Sequence, residues 1–256
     1  MKIERAFITG ATGGVGEALA HLLASKGVAL ILSGRDPVRL EAVAKATKAK
    51  AIVIAHLEER SGRQQVKEAL QKHMPQLVIN NAGFGIYGEA LNTSVKEQVD
   101  ILKVNAEAVL EITLEAAHLL VQARKKGIVF NVSSVAGELP SPGMSVYGAS
   151  KAFVTLLSQA LDTELSPKGV RVLVNCPGMI ATDFANRAAR KKVFQKGGSV
   201  MPPQFVAQKI WQQIESGKEK MIINGYYRAV TWLATRFFPT KMIKKIIWEK
   251  IKARLD

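Results

Sequence analysis

The chain of 256 residues is 48% hydrophobic and 22% charged, which is the composition of a globular protein with a sizeable core. A single cysteine excludes an intrachain disulfide, the four histidines lack zinc-site spacing, and no apolar stretch is long enough to span a bilayer, so we expect a cytoplasmic protein without a metal. The net charge of +15 indicates either an anionic partner (nucleic acid, a membrane surface or an acidic substrate) or only a solvated basic surface.

Short apolar runs alternate along the chain with longer amphipathic segments. The runs predict β-strands at residues 6–9, 29–33, 51–55, 77–80, 127–132, 170–175 and 220–223. Helices are predicted between most of them, among others at residues 15–26, 37–47, 62–73 and 95–123. Because the runs are apolar on both faces, they predict an α/β fold: a doubly wound parallel sheet of about seven strands with helices on both faces.

A glycine-rich turn joins the first predicted strand to the first predicted helix, where residues 9–16 read TGATGGVG. Glycine lets the backbone turn tightly and approach a pyrophosphate, and the amino terminus of the helix offers free N–H groups to the anion. A tight strand-to-helix turn needs glycine even without a ligand. Its place at the first βα junction nevertheless favours a Rossmann-type dinucleotide site.

The end of the second strand indicates which dinucleotide is bound. An NAD site usually carries an acid there for the ribose 2′-hydroxyl, whereas this chain reads Ser33-Gly34-Arg35-Asp36. The guanidinium of Arg35 can pair with a 2′-phosphate and stack on adenine, which favours NADP(H) over NAD(H). In the alternative, Arg35 faces solvent and Asp36 only caps the helix that begins at Pro37.

Tyr147 and Lys151 are four residues apart in a segment that is predicted to begin a helix. Residues at this spacing share one helix face, and a nearby cation favours the ionised form of a phenol. The pair can therefore move a proton to or from a substrate oxygen. The same spacing is common on solvated helix faces, so its meaning depends on the rest of the chain.

Further motifs follow in a fixed order, and together they resemble the short-chain dehydrogenase/reductase family over residues 3–225. They are TGxxxGxG from Thr9, NNAG at residues 80–83, a serine thirteen residues before a YxxxK segment, and a Pro-Gly pair at residues 177–178. The resemblance implies a Rossmann-fold oxidoreductase that interconverts a carbonyl and an alcohol with a nicotinamide cofactor. It also implies a substrate lid at about residues 179–201.

The resemblance assigns roles to named residues. Tyr147 would be the general acid or base, Ser134 would hydrogen-bond the substrate carbonyl, and Lys151 would bind the nicotinamide ribose and lower the pKa of Tyr147. Asn105 would hold a water linked to Lys151, and Ser133 would be structural. The cofactor site would comprise Gly10, Thr12, Gly14, Val15, Gly16, Arg35, Asn81, Ala82, Gly83, Tyr147, Lys151, Pro177, Gly178, Ile180 and Thr182.

Two positions depart from the family pattern. His56 stands where the family usually carries an acid that contacts adenine, so this contact is in doubt. Gly13 stands where some NADP(H)-preferring relatives carry a basic residue, so the preference for NADP(H) rests mainly on Arg35.

The lid and the end of the chain are basic. Arg187, Arg190, Lys191, Lys192 and Lys196 could receive an acidic carrier, such as an acyl carrier protein or a coenzyme A phosphate, or could simply be solvated. Residues 226–256 form a C-terminal tail that follows the residues needed for catalysis. Its apolar and basic residues alternate as in an amphipathic helix, which indicates either contact of residues 228–256 with an anionic membrane or packing on protein.

We therefore expect a reductase or dehydrogenase for an apolar ketone, a 3-oxoacyl compound or a lipid-like molecule. The alternative is an NADP(H)-sensing or scaffold protein that keeps the fold. Nucleic acid is not an expected partner, because no aromatic platform or basic recognition helix accompanies the charge. The resemblance implies a homodimer or homotetramer, with contacts through the helices around Asn105 and beyond Tyr147.

Overall fold

The computed structural model describes residues 1–190 and 200–255. Lys191, Lys192 and Lys196 of the predicted lid lie outside the described residues.

The described residues form one parallel sheet of seven strands in the order β3-β2-β1-β4-β5-β6-β7. The strands are β1 (Arg5–Thr9), β2 (Ala29–Gly34), β3 (Ala51–Ile54), β4 (Leu77–Asn80), β5 (Gly127–Val132), β6 (Val170–Cys176) and β7 (Lys220–Ile222). This confirms the predicted doubly wound sheet, and every strand begins and ends within one residue of its predicted bounds. The strand order reverses between β1 and β4, and ligands of such sheets bind at this switch point.

Helices connect the strands and continue beyond the last one. They are α1 (Gly14–Ser25), α2 (Pro37–Thr47), α3 (Arg60–His73), α4 (Val95–Leu102), α5 (Ala108–Gln122), α6 (Ser145–Leu165), α7 (Phe184–Ala189), α8 (Pro203–Ser216), α9 (Gly225–Phe237) and α10 (Thr240–Leu255). The predicted helix over residues 95–123 contains one wider, π-helical turn, Lys103–Glu107, between α4 and α5. Such turns are frequent at functional sites.

The sheet has a hydrophobic core on each face, because successive side chains of a strand point in opposite directions. Ile8 of β1 belongs to a buried cluster with side chains of α1, α2 and α8, among them Ile210. Its neighbour Phe7 belongs to a second cluster with side chains of α3 and α5, among them Ile112. Helices therefore cover both faces of the sheet.

A buried polar network fixes the carboxyl ends of the central strands. The Nδ2 atom of Asn80 donates to Thr113 Oγ1 at 3.1 Å and to Asn131 Oδ1 at 2.9 Å. Asn131 Nδ2 in turn donates to Ser158 Oγ at 2.9 Å. These bonds join β4 and β5 to α5 and α6, and they hold the strand ends and α6 in a fixed relation.

The two C-terminal helices pack differently on the rest of the chain. Helix α10 turns Ile243, Ile247 and Ile251 inward, and Ile251 belongs to a cluster with Tyr87 and lid residues of α7. Helix α9 is mostly exposed. None of the described helices is both long enough and apolar enough to cross a membrane.

Candidate active site

The glycine-rich turn lies at the switch point between β1 and β4. Gly10 has a φ of +65°, and a Cβ atom there would lie 2.8 Å from the Cα atom of Ala82. A Cβ atom on Gly16 would overlap the Gly10 carbonyl and lie 2.6 Å from Asn81 Nδ2. Only glycine permits this approach of α1 to the strands. The N–H of Gly16 is bonded to the carbonyl oxygen of Gly13 at 2.7 Å, whereas those of Gly14 and Val15 meet no acceptor among the described residues and could receive a phosphate.

Asn81 and Ala82 are held beside this turn by hydrogen bonds to β1. Asn81 Nδ2 donates to the carbonyl oxygens of Thr9 and Gly10, both at 3.1 Å. The hydroxyl of Thr9 accepts the backbone N–H groups of Asn81 at 3.0 Å and Ala82 at 3.1 Å. The structure thus brings the predicted adenosine-side residues and the predicted pyrophosphate turn together.

The segment after β6 reaches over the glycine-rich turn. A Cβ atom on Gly14, whose φ is +32°, would overlap the Cγ2 atom of Thr182. Ile180 pairs with Met201 in an isolated parallel bridge. The structure thus places Thr182 directly beside the turn predicted to bind the pyrophosphate. The side chain of Thr182 packs on the turn itself, where the missing Cβ atom of Gly14 leaves room for it.

The end of β2 is basic. Arg35 is exposed, and no ion pair joins it to another described residue. Asp36 accepts the N–H of Arg39 at 3.1 Å, so it is the predicted cap of α2. Partial burial and the charges of Arg35 and Arg39 lower the pKa of the Arg187 guanidinium, so α7 carries a third cation to this edge.

Thr12 and Val15 complete the turn in different ways. The side chain of Thr12 packs against the end of β2, because a Cβ atom on Gly34 would lie 3.1 Å from the Cγ2 atom of Thr12. The side chain of Val15 is buried in the core, so only its backbone faces the turn.

Tyr147 and Lys151 lie on the first two turns of α6 and are both buried. Lys151 Nζ donates to the carbonyl oxygen of Val132 at 2.9 Å and lies 5.8 Å from the centroid of the Tyr147 ring. The side chain of Ser134 lies close enough to Tyr147 to influence its pKa, and its Oγ accepts the N–H of Ala136 at 3.1 Å. The phenol, the ammonium and the serine hydroxyl are therefore neighbours at the end of β5.

Ser133 faces away from this group. Its hydroxyl donates to the carbonyl oxygen of Lys151 at 2.7 Å and shares a hydrogen bond of 2.7 Å with Thr155. These bonds tie β5 to α6, which is a structural role.

Burial dominates the acid–base properties of the pair. It raises the pKa of Tyr147 to about 12, although the side chain of Ser134 acts in the opposite direction. It lowers the pKa of Lys151 to about 8. Lys151 is not among the groups that shift the pKa of Tyr147, so the lowering expected from Lys151 is not found.

Asn105 lies in the π-helical turn and is fully buried. Its Nδ2 atom donates to the carbonyl oxygen of Phe84 at 2.8 Å and to Ser150 Oγ at 3.1 Å, and its Oδ1 atom accepts the N–H of Phe84 at 3.1 Å. A Cβ atom on Gly83 would lie 3.1 Å from Asn105 Oδ1 and 3.3 Å from Lys151 Nζ. Asn105 therefore holds the NNAG segment beside Lys151.

Helix α7 and the loop after β4 enclose the phenol. The ring of Phe184 lies 5.4 Å from that of Tyr147, centroid to centroid, and Tyr87 is buried close to Tyr147. The backbone N–H of Tyr87 donates to the carbonyl oxygen of Ala188 at 2.9 Å. The Tyr147 phenol is thus buried among aromatic side chains.

The tail contributes contacts that the sequence did not predict. A Cβ atom on Gly178 would overlap the ring of Tyr227, whose hydroxyl accepts the N–H of Met179 at 3.4 Å. Gly143, with a φ of +76°, lies against Trp248 and Ile251 of α10. A glycine in the sequence can indicate that another segment packs closely on the backbone. The residues around Gly178 and Gly143 do not reveal that these segments are α9 and α10, which lie far along the chain.

His56 does not point a free side chain at the candidate site. Its Nδ1 atom lies 3.3 Å from Glu58 Oε1, and its ring is about half exposed. The His56 ring is thus paired with Glu58, and the structure does not show it taking the place of the family's acid at adenine.

The chain is similar to known proteins in sequence and in fold. The profile of the family described as short chain dehydrogenase matches residues 4–193. A sulfoacetaldehyde reductase of Chromohalobacter salexigens is 35% identical over 186 residues, which are 70% of this chain and 73% of that protein.

Two solved structures are similar over most of their length. A short-chain dehydrogenase from Sphingobium yanoikuyae in complex with NADPH has a TM-score of 0.83 and 29% identity, covering 91% of this chain and 92% of that one. A bulky-bulky ketone specific alcohol dehydrogenase from Comamonas testosteroni has a TM-score of 0.77 and 26% identity, covering 92% and 95%.

Proposed function

The chain belongs to the short-chain dehydrogenase family, and from this premise we propose that it is an NADP(H)-dependent oxidoreductase that interconverts a carbonyl and an alcohol. The supporting observation is the group formed by the buried Tyr147 and Lys151 and the half-buried Ser134, beside Gly83 of the NNAG segment. An apolar ketone, a 3-oxoacyl compound or a lipid-like molecule suits this site, because the aromatic side chains of Phe184 and Tyr87 lie next to Tyr147. The similar ketone-specific dehydrogenase supports this class of substrate.

A bound nicotinamide supplies or accepts the hydride. In the reducing direction Ser134 and Tyr147 donate hydrogen bonds to the carbonyl oxygen, and Tyr147 gives its proton to the alkoxide as the charge develops. In the oxidising direction Tyr147 accepts the proton of the alcohol. Asn105 keeps the backbone at Gly83 and Phe84 in place beside Lys151.

The raised pKa of Tyr147 suits reduction. A phenol with a pKa of about 12 holds its proton at neutral pH and can serve as the acid. For oxidation its proton must leave, and the positive charge of an oxidised nicotinamide would favour the phenolate. With a pKa of about 8, Lys151 is mainly protonated at pH 7.

Substitution Tyr147→Phe tests the assignment. We expect turnover of a ketone with NADPH to be abolished and NADPH binding, measured by fluorescence titration, to be retained. Tyr226→Phe removes a hydroxyl from an exposed tyrosine and should leave both unchanged. Near-full activity of Tyr147→Phe would refute the assignment, and a panel of steroids, 3-oxoacyl thioesters and simple ketones would identify the substrate.

The preference for NADP(H) is supported by the basic edge at Arg35, to which Arg187 of α7 adds charge. No carboxylate at the end of β2 is free for a 2′-hydroxyl, because Asp36 caps α2. A sensor or scaffold role is not favoured, since the proton-transfer group is complete.

We further propose that the tail forms one domain with residues 1–225 and that α9 associates with an anionic membrane surface from the cytoplasm. Helix α9 faces the protein only through Tyr227, Thr231 and Ala234, while Trp232 and Phe237 are 50% and 66% exposed. Residues 221–248 contain no acid, so two copies of this face would repel each other. A homodimer or homotetramer would instead use the helices around Asn105 and α6.

An acidic carrier at the lid has weaker support. Arg190 forms an ion pair with Glu97, which offsets its charge, and Arg187 faces the cofactor edge.

A further inference from the structure

A second concavity lies outside the candidate active site, between α10 and the loops that precede α4 and α6. Its volume is about 910 Å³, which is within the range of small-molecule sites. Pro142, Met242 and Trp248 form an apolar wall. Lys241, Lys244 and Lys245 line the same groove.

The base of this groove is fixed by backbone contacts. Gly143 has a φ of +76°, and a Cβ atom there would lie 2.9 Å from Trp248 Cζ3. The carbonyl oxygen of Gly143 accepts the N–H of Gly88 at 3.0 Å, which joins the two loops. Because these contacts hold both loops against α10, the groove exists before any ligand binds.

The groove carries a net positive charge. Three lysines line it against one carboxylate, that of Glu89. Within residues 1–190 and 200–255, no carboxylate comes within ion-pair distance of the Lys241, Lys244 or Lys245 ammonium groups. A second copy of this chain, with the same charge of +15, would be repelled here. An anionic ligand with an apolar body complements both the charge and the wall.

We propose that this groove binds a single amphiphilic anion, a molecule with an apolar chain and a carboxylate or phosphate head. The chain packs against Pro142, Met242 and Trp248, and the head lies on the lysines. This site is separate from the proposed oxidoreductase function and does not depend on it.

Isothermal titration of the full chain with monomeric dodecyl phosphate, below its micelle concentration, tests the proposal. We expect one saturable site. Lys244→Glu with Lys245→Glu should weaken binding about tenfold, and Lys250→Glu, an exposed lysine of the same helix outside the groove, should not. Met242→Asp should weaken binding by placing a charge on the apolar wall. Dodecanoate in a parallel titration separates a carboxylate from a phosphate head.

Several outcomes would overturn the proposal. Equal binding of neutral dodecyl maltoside would remove the role of the lysines, and equal binding of inorganic phosphate would remove that of the apolar wall. Binding of anionic vesicles but not of monomers would identify a lipid surface instead. Retained NADPH binding and an unchanged melting temperature show that each variant is folded, so a failure of catalysis and a failure of this site are distinguishable.

Discussion

The ring of Tyr227 lies against the backbone of Gly178 so closely that any Cβ atom at position 178 would overlap it. The hydroxyl of the same tyrosine accepts the N–H of Met179 at 3.4 Å. Helix α9 is therefore joined to the turn that is proposed to face the nicotinamide. We expect a substitution on either side of this contact to affect both the tail and the turn.

Gly178→Ala should lower both stability and activity, because the added methyl group displaces the ring of Tyr227. Overpacking of this kind costs ~1–3 kcal/mol, which urea unfolding can measure. Adding Tyr227→Ala should make the Gly178→Ala change milder, since the overlap disappears. Gly225→Ala is the control, because no atom lies within 4 Å of a Cβ atom there. Equal costs of Gly178→Ala with and without Tyr227 would contradict this coupling.

Arg35→Ala should raise KM for NADPH about 10–100-fold, the effect of losing charge-assisted hydrogen bonds to a phosphate, and should leave KM for NADH nearly unchanged. Steady-state kinetics with both cofactors measure the difference. Arg60→Ala removes an exposed arginine at the start of α3 and serves as control. A wild-type kcat/KM that is higher with NADH than with NADPH would end the proposal of NADP(H) preference.

The sequence predicted the sheet well, because strands that are apolar on both faces can only be buried in a parallel sheet between helices. It did not predict the π-helical turn at Asn105, since a one-residue widening leaves the helical periodicity almost unchanged. The contacts of Tyr227 and Trp248 were also missed. They depend on packing between segments far apart in the chain, and the amphipathic pattern of α10 fits a membrane and a protein surface equally well.

The raised pKa of Tyr147 has a similar origin. Spacing in the sequence showed a cation close to the phenol, but it could not show how deeply both are buried. The structure buries both side chains, and burial is the largest cause of the raised pKa of Tyr147 and of the lowered pKa of Lys151.

Asn105→Ala should lower kcat more than it raises KM, because Phe84 loses two hydrogen bonds to the Asn105 side chain and Ser150 loses one, which frees the loop beside Lys151. Removing a buried, fully bonded amide should also destabilise the fold by ~1–3 kcal/mol. Asn92→Ala, at an exposed asparagine, is the control. Loss of stability with unchanged kcat would assign Asn105 a purely structural role.

Flotation with anionic liposomes tests α9 as the membrane contact. Trp232→Asp with Phe237→Asp should abolish flotation, because charged groups oppose burial of this face in the interface. Val38→Asp, a change at an apolar residue that is 75% exposed on α2, should not. Deleting residues 228–256 is a poorer test, since it uncovers the cluster that Ile251 forms with Tyr87. Absence of flotation by the wild-type chain would refute the membrane contact.

Lys151 should make stability depend on pH at alkaline values. Its pKa is about 8 in the folded chain against an ordinary 10.5, so between these values the unfolded chain binds a proton that the folded chain has released. The free energy of unfolding therefore gains a contribution that rises with pH over this window, by at most ~1.4 kcal/mol per pH unit, and is flat below pH 8. Lys151→Met lacks the titrating group and loses this rise.

The measurement is the difference in the free energy of unfolding between wild type and Lys151→Met, from urea unfolding at intervals from pH 7 to 10.5. The pKa values of Tyr147 and Cys176 are both raised to about 12, so these two groups make the free energy of unfolding fall with pH. Both groups are present in wild type and in Lys151→Met, and their contributions largely cancel in the difference. Lys250→Met, at an exposed lysine, should run parallel to wild type. If Lys151→Met also runs parallel, Lys151 keeps its ordinary pKa and its ammonium is solvated rather than buried beside Tyr147.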